Sequence, residues 1–277
     1  MLLLVTAIWG WTFVLVKDAV TQYPTLPFLQ IRFVLAAVVM AVIVRRLPTR
    51  REWKLGLVVG IVLAAGYLTQ TLGLAITSPG NAGLITGMVV VFTPLIGRIF
   101  GSRVRWWTWI ATGVSLIGIV LLAGGLAGLN IGDFFVLICA VLFALQLVLL
   151  GRWSPGLRSA PLALVQMIGC ALLFSAGGTW SLRLPSTPVW VAIAITGVFA
   201  SALAFYVQTL AQKHIDPNRV ALIFTLEPAW ALAAAVVLAG QRFGLEQALG
   251  AALMLAAIVG HELATVKFED HGQPSPA

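Results

Sequence analysis

Apolar residues along this chain run in blocks of roughly 20, each ended by a short cluster of Gly, Pro, Asn or charged residues. A helix needs about 20 apolar residues to cross a hydrocarbon core of roughly 30 Å, so each block predicts a membrane-spanning helix. Ten blocks meet this condition: approximately Leu2–Val20, Leu26–Val44, Trp53–Leu74, Ala82–Phe100, Trp106–Ala123, Gly132–Leu150, Ala160–Trp180, Val189–Ala211, Val220–Ala239 and Gln247–Val266. Breakers such as Tyr23-Pro24, Ser78-Pro79-Gly80-Asn81, Pro155-Gly156 and Asp216-Pro217-Asn218 fall between the blocks, where turns are needed. The tail from 269 to 277 is polar and breaker-rich, which predicts a disordered cytoplasmic segment. The fold class expected is an all-α integral membrane protein of ten transmembrane helices.

The polar positions inside the blocks repeat. Tyr67-x-x-Gln70-Thr71-Leu72, followed by Pro79, returns 138 positions later as Phe205-x-x-Gln208-Thr209-Leu210, followed by Pro217. Pro27 to Arg32 and Pro161 to Gln166 repeat their spacing at a shift of 134. These echoes divide the chain into a first five-helix repeat over 1–125 and a second over 126–268. An odd number of helices per half makes the second half enter the membrane from the opposite side, so the repeat is expected to be inverted. Pro94 follows Leu84 by 10 residues and Pro228 follows Leu222 by only 6, which predicts an extra turn in the fourth helix relative to the ninth.

Composition agrees with this solvent: 60% of the 277 residues are apolar and 9% charged, and the mean hydropathy is +1.02. The net charge of +8 does not indicate nucleic acid, because the basic residues sit in short clusters between apolar blocks and not along one polar face. With the N-terminus inside, 13 of the 17 basic residues fall on the inner side, Lys17, Arg183 and Arg242 fall outside, and Arg32 lies within a helix. Both termini are therefore expected in the cytoplasm. Trp53, Trp106, Trp107, Trp109 and Trp153 form an inner belt, with Trp180 and Trp190 outside. No cleavable leader pattern precedes the first block, which reads as a retained helix. Cys139 and Cys170 lie in apolar stretches and read as packed thiols.

Three short motifs add a resemblance. The first helix carries Trp9-Gly10-Trp11-Thr12-Phe13, the second Arg32-Phe33 and the ninth Glu227-Pro228. With ten spans and a five-plus-five repeat, these make the chain similar to the drug/metabolite transporter superfamily, specifically its EamA branch, and within it to bacterial amino-acid exporters. The resemblance implies a multi-pass protein of the bacterial inner membrane that moves small metabolites by alternating access.

Polar groups in hydrocarbon are costly, so each one inside a span is a candidate for function. Tyr67, Gln70 and Thr71 share one helix face, and Phe205, Gln208 and Thr209 repeat it. Trp9, Thr12 and Phe13 share another, repeated by Phe143, Gln146 and Leu147. If these stripes converge they enclose a pocket with flat apolar walls and a few amides and hydroxyls, suited to a zwitterion with an apolar side chain. Tyr206 and Trp230 are further candidates for its aromatic lining. The competing reading makes the same residues interhelical glue.

Arg32, whose burial costs at least about 2.5 kcal/mol on insertion scales, needs a partner: a substrate carboxylate, helix carbonyls or Asp18. Glu227 is the one carboxylate near mid-depth, where burial disfavours its charged form, as a proton carrier requires. Its alternative is a hydrogen-bond donor beside a Pro228 kink. Gly56/Gly60, Gly83/Gly87 and Gly97/Gly101 have the spacing for close helix crossings.

An ATP-driven pump is excluded by the lack of a Gly-x-x-x-x-Gly-Lys-Ser/Thr run. The three histidines, His214, His261 and His271, lie at or beyond cytoplasmic ends and form no metalloprotease motif, which argues against an enzyme. No cofactor or metal is expected; the expected partners are a small-molecule substrate, protons and the lipid bilayer. A broad-specificity drug or metabolite exporter, or an importer, is the alternative within transport.

Overall fold

The computed structural model describes residues 1–122, 130–176, 184–239 and 244–269. The predicted boundary at 125/126, Trp180, Arg183, Arg242 and the tail beyond 269 lie outside them. The described residues are helical and contain no strand. The elements are α1 (Leu2–Gln22), α2 (Thr25–Ile43), α3 (Arg50–Ile76), α4 (Pro79–Gly87), α5 (Val89–Ile99), α6 (Trp106–Leu122), α7 (Ile131–Trp153), α8 (Ser159–Ala176), α9 (Thr187–Ile195), a π-helical segment (Thr196–Leu203), α10 (Ala204–Ala211), α11 (Pro217–Phe224), α12 (Glu227–Ala239) and α13 (Leu245–Glu269). Eight helical stretches among the described residues are long and apolar enough to span a membrane, and the apolar α6 is somewhat shorter. Large apolar side chains such as Val42, Ile99, Val237 and Leu263 face outward, as a bilayer requires and water would penalise.

Two of the predicted spans are broken. α4 gives way to α5 at Met88, and α11 to α12 at Thr225 and Leu226. Met88 and Leu226 stand 138 positions apart, the same shift as the Tyr67 and Phe205 stripes, so the breaks recur in register. The extra turn expected from Pro94 is not what sets them. Pro94 is carried inside α5, whereas Pro228 is the second residue of α12, where its missing N–H leaves no bond unmade. The expected kink beside Pro228 is thus a helix start, with Glu227 as its first residue.

Caps and charges pin the bundle at both ends of α3. At its start Thr49 and Glu52 form a capping box, and Glu52 also takes the Arg158 backbone N–H at 3.1 Å and its guanidinium at 2.9 and 2.6 Å. At its end Lys17 of α1 donates to the carbonyls of Leu74, Ala75 and Thr77 at 2.8–3.0 Å. The Thr77 hydroxyl donates to Asp133 Oδ1 of α7 at 2.5 Å.

Between these ends α3 packs against α7 and α8, and α2 against α8. Gly60 makes the α3–α8 crossing possible, because a β-carbon there would stand 2.6 Å from the Gln166 carbonyl oxygen. The Gly97/Gly101 pair makes no crossing: Gly101 turns the chain at φ +83° with open space around it. α6 and α13 pair at the periphery.

Candidate functional site

The stripes converge. A cavity of about 730 Å³, open mouth included, is walled by α1–α5, α7 and α10–α12. Of the residues singled out from sequence, Trp9, Thr12, Phe13, Arg32, Tyr67, Gln70, Phe143, Gln146, Phe205, Gln208 and Glu227 all lie on its wall. Tyr206 and Trp230 do not. Tyr206 is half-buried and packs against the main apolar core, one residue away from the wall face held by Phe205. Trp230 is exposed, one turn beyond Glu227 on the outward side of α12.

The aromatic wall is continuous and draws on both halves. Ring centroids run from Phe224 to Trp9 at 4.9 Å, Trp9 to Phe205 at 5.5 Å, Phe205 to Tyr67 at 5.9 Å and Tyr67 to Phe143 at 5.2 Å. Tilted and edge-on contacts of this kind are favoured geometries for aromatic pairs. The Trp9 indole N–H donates at 2.8 Å to the Ala200 carbonyl in the π-helical segment. The widened turn frees backbone groups that a regular helix would use itself, and such segments occur often at functional sites.

Arg32 is 3% exposed, and Asp18 is not its partner. Its Nε donates to the Ser201 hydroxyl at 2.9 Å, and its guanidinium carbon lies 4.6 Å from the Tyr67 ring centre and 5.3 Å from that of Phe33. Among the described residues two ion pairs occur, Glu52–Arg158 and Arg219–Glu262, and neither contains Arg32 or Glu227. Glu227 is 8% exposed and sits in the first turn of α12, where the helix dipole favours a negative charge.

Opposite these charges lies a carboxamide network. Gln212 Nε2 donates to the Leu147 carbonyl at 2.8 Å, so its Oε1 is left to accept from Gln208 Nε2 at 2.9 Å. Gln208 Nε2 also reaches Gln146 Oε1 at 3.0 Å; Gln146 donates to Gln166 Oε1 at 3.4 Å, and Gln166 to the Thr209 hydroxyl at 3.1 Å. A backbone carbonyl can only accept, so Leu147 fixes the polarity of every amide upstream. Gln70, the repeat mate of Gln208, has a single side-chain hydrogen bond among the described residues, to Thr86 at 3.3 Å. The two repeated glutamines therefore stand in unequal surroundings.

Sequence reasoning missed Thr86 and Phe224, both on the wall. They stand 138 positions apart, so extending the Tyr67/Phe205 shift into the fourth and ninth helices would have found them.

The profile of the EamA-like transporter family matches residues 1–124 and again 130–261. An uncharacterised transporter of Archaeoglobus fulgidus is 31% identical over 270 residues, covering 93% of this chain and 83% of the relative. The uncharacterised inner membrane transporter YedA of Escherichia coli K12 is 23% identical, over 91% of this chain and 86% of YedA. A solved crystal structure with 18% identity shares the fold, with a TM-score of 0.75 over 98% of this chain and 99% of that one.

Proposed function

We propose that this chain, which belongs to the EamA-like transporter family, moves apolar or aromatic amino acids or similar small metabolites through the central cavity by alternating access. The observation that carries this reading is that one cavity is lined at repeat-related positions by both halves, Tyr67 with Phe205 and Gln70 with Gln208. Ten spans in two inverted five-helix repeats account for this pairing, with 1–125 and 126–268 as the units. The two separate matches to the family profile support that division. Helices broken at Met88 and Leu226 beside the cavity also support it, since discontinuous helices at repeat interfaces form the substrate sites of many secondary transporters.

The aromatic wall favours large flat side chains, and the amides and hydroxyls offer hydrogen bonds to the substrate's polar groups. Glu227, in the cavity wall, is the group that carries a coupling proton, and Arg32 is the basic group that meets or gates the substrate. The charge distribution supports cytoplasmic termini, and export across the cytoplasmic membrane is the direction proposed. The name of the Escherichia coli relative supports an inner-membrane location.

The test is counterflow in liposomes holding the purified protein, with a competition series of amino acids. Large apolar and aromatic side chains are expected to compete better than glycine or glutamate. Equal inhibition by small acidic amino acids would overturn the aromatic-site reading. Competition dominated by lipophilic cations would favour a broad drug exporter.

A further inference from the structure

Two wall groups of the cavity have more hydrogen-bonding capacity than the protein fills, and they are of opposite kinds. Arg32 carries five N–H donors; its Nε donates to the neutral Ser201 hydroxyl, and its guanidinium also engages the Tyr67 side chain, a phenol and not an anion. The rings of Tyr67 and Phe33 offer cation–π attraction, which is smaller than the cost of removing a guanidinium from water. The balance calls for an anion, and among the described residues no carboxylate pairs with Arg32. Gln208 is 1% exposed, and its Oε1 has no donor among the described residues. Both hydrogens of its amide are committed to Gln146 and Gln212, in an orientation fixed by the Leu147 carbonyl.

The spacing of these groups selects the ligand. Ser201, which marks the position of Arg32, and Gln208 are seven residues apart on one continuous helical stretch, about 10 Å along its axis. An α-ammonium lies within about 4 Å of its own carboxylate and is too close to reach the second group. A donor at the far tip of a flat side chain can reach it. The wall between the two is aromatic, with Phe205 and Tyr67 centred 5.9 Å apart.

We propose that Arg32 and Gln208 form the two ends of a reader for an aromatic carboxylate whose ring carries a distal N–H or O–H: the carboxylate meets the Arg32 guanidinium, the ring lies against Tyr67 and Phe205, and the distal donor meets Gln208 Oε1. This rests on the transport reading of the cavity. It adds that the ring must end in a donor and that the acid must be free.

The experiment is competition for L-tryptophan counterflow in liposomes holding the full chain. The probes are tryptophan amide, which lacks the acid, the benzothiophene analogue of tryptophan, which replaces the indole N–H by sulfur at nearly the same shape, and neutral indole. In the parent protein each altered amino acid is expected to compete about tenfold less well than tryptophan, the scale of one hydrogen bond to a buried polar group. In Gln208→Leu the sulfur analogue and tryptophan are expected to become equal. In Arg32→Gln the amide and tryptophan are expected to become equal. Equal competition by tryptophan, its amide and the sulfur analogue in the parent protein would overturn the reader while leaving an aromatic transport cavity intact. No competition by any probe, indole included, would overturn both readings. The parent series depends on no variant, so a substitution that prevents folding leaves the test decisive.

Discussion

Gly10 of α1 lies against the backbone of Glu227 at the start of α12: a β-carbon at position 10 would stand 2.7 Å from the Glu227 carbonyl oxygen and 2.6 Å from the Trp230 β-carbon. The half-helix that presents the cavity carboxylate is therefore held by a contact that only a glycine permits. Gly10→Ala is expected to push α12 away, lowering the yield of folded protein and depressing transport more than tenfold. Gly113 is a control, since a β-carbon there meets nothing within 4 Å. Gly113→Ala should raise thermal stability by about 0.5–1 kcal/mol through its effect on backbone entropy. A detergent thermal-shift assay on the two variants checks both directions.

The Glu52 carboxylate unites a helix cap with the α3–α8 junction, binding Thr49 and Arg158 together. Glu52→Ala is expected to cost about 2–4 kcal/mol, the sum of a lost cap and a broken charge-assisted pair whose acid is buried. Arg158→Lys should fail to restore parent stability, because one ammonium cannot satisfy both carboxylate oxygens and the Leu47 carbonyl as the guanidinium fork does. Thermal unfolding of the three proteins in one detergent ranks them directly.

The unequal surroundings of the repeated glutamines separate binding from packing. Gln208→Ala removes two amide bonds from a buried network and leaves Gln146 and Gln212 oxygens without donors, at about 1–3 kcal/mol each. Gln70→Ala removes one long bond to Thr86 and should cost under about 1 kcal/mol. Both are expected to weaken counterflow at matched protein levels. Parent-like counterflow in Gln70→Ala would assign that amide to helix packing.

Orientation can be read from single cysteines introduced at Arg50, Arg103 and Asn130 in a protein lacking Cys139 and Cys170. The charge distribution requires the first two to be shielded from an impermeant reagent applied outside whole cells, and Asn130 to react. The opposite labelling would reverse the proposed topology.

Glu227→Gln replaces an acid by an amide of nearly the same shape. The proposed coupling role requires this variant to exchange substrate for substrate at near-parent rates while losing acceleration by a proton gradient. Gradient-driven flux equal to the parent would make Glu227 a structural residue at the start of α12.

By itself the sequence determined the solvent, the helical class and most of the cavity wall. Hydrocarbon forbids unsatisfied backbone, so long apolar blocks could only become helices. It also makes every buried polar side chain costly, so Gln70, Gln146, Gln208, Arg32 and Glu227 stood out before any packing was known. What periodicity could not decide were events that hinge on a single residue's neighbours. Met88 and Leu226 carry no breaker of their own, and at each the regular helical bond gives way to an i→i−3 bond, to Ile85 and Ile223. The π-helical turn at Thr196–Leu203 exists where Trp9 and Arg32 reach Ala200 and Ser201 from two other helices. Tyr206 and Trp230 have the right chemistry for the cavity but do not reach its wall: Tyr206 is one residue from Phe205 and Trp230 one turn from Glu227, placements that only the folded bundle assigns. The polarity of the glutamine network likewise comes from the Leu147 carbonyl, 61 positions before Gln208 in the sequence and adjacent to its network only after folding.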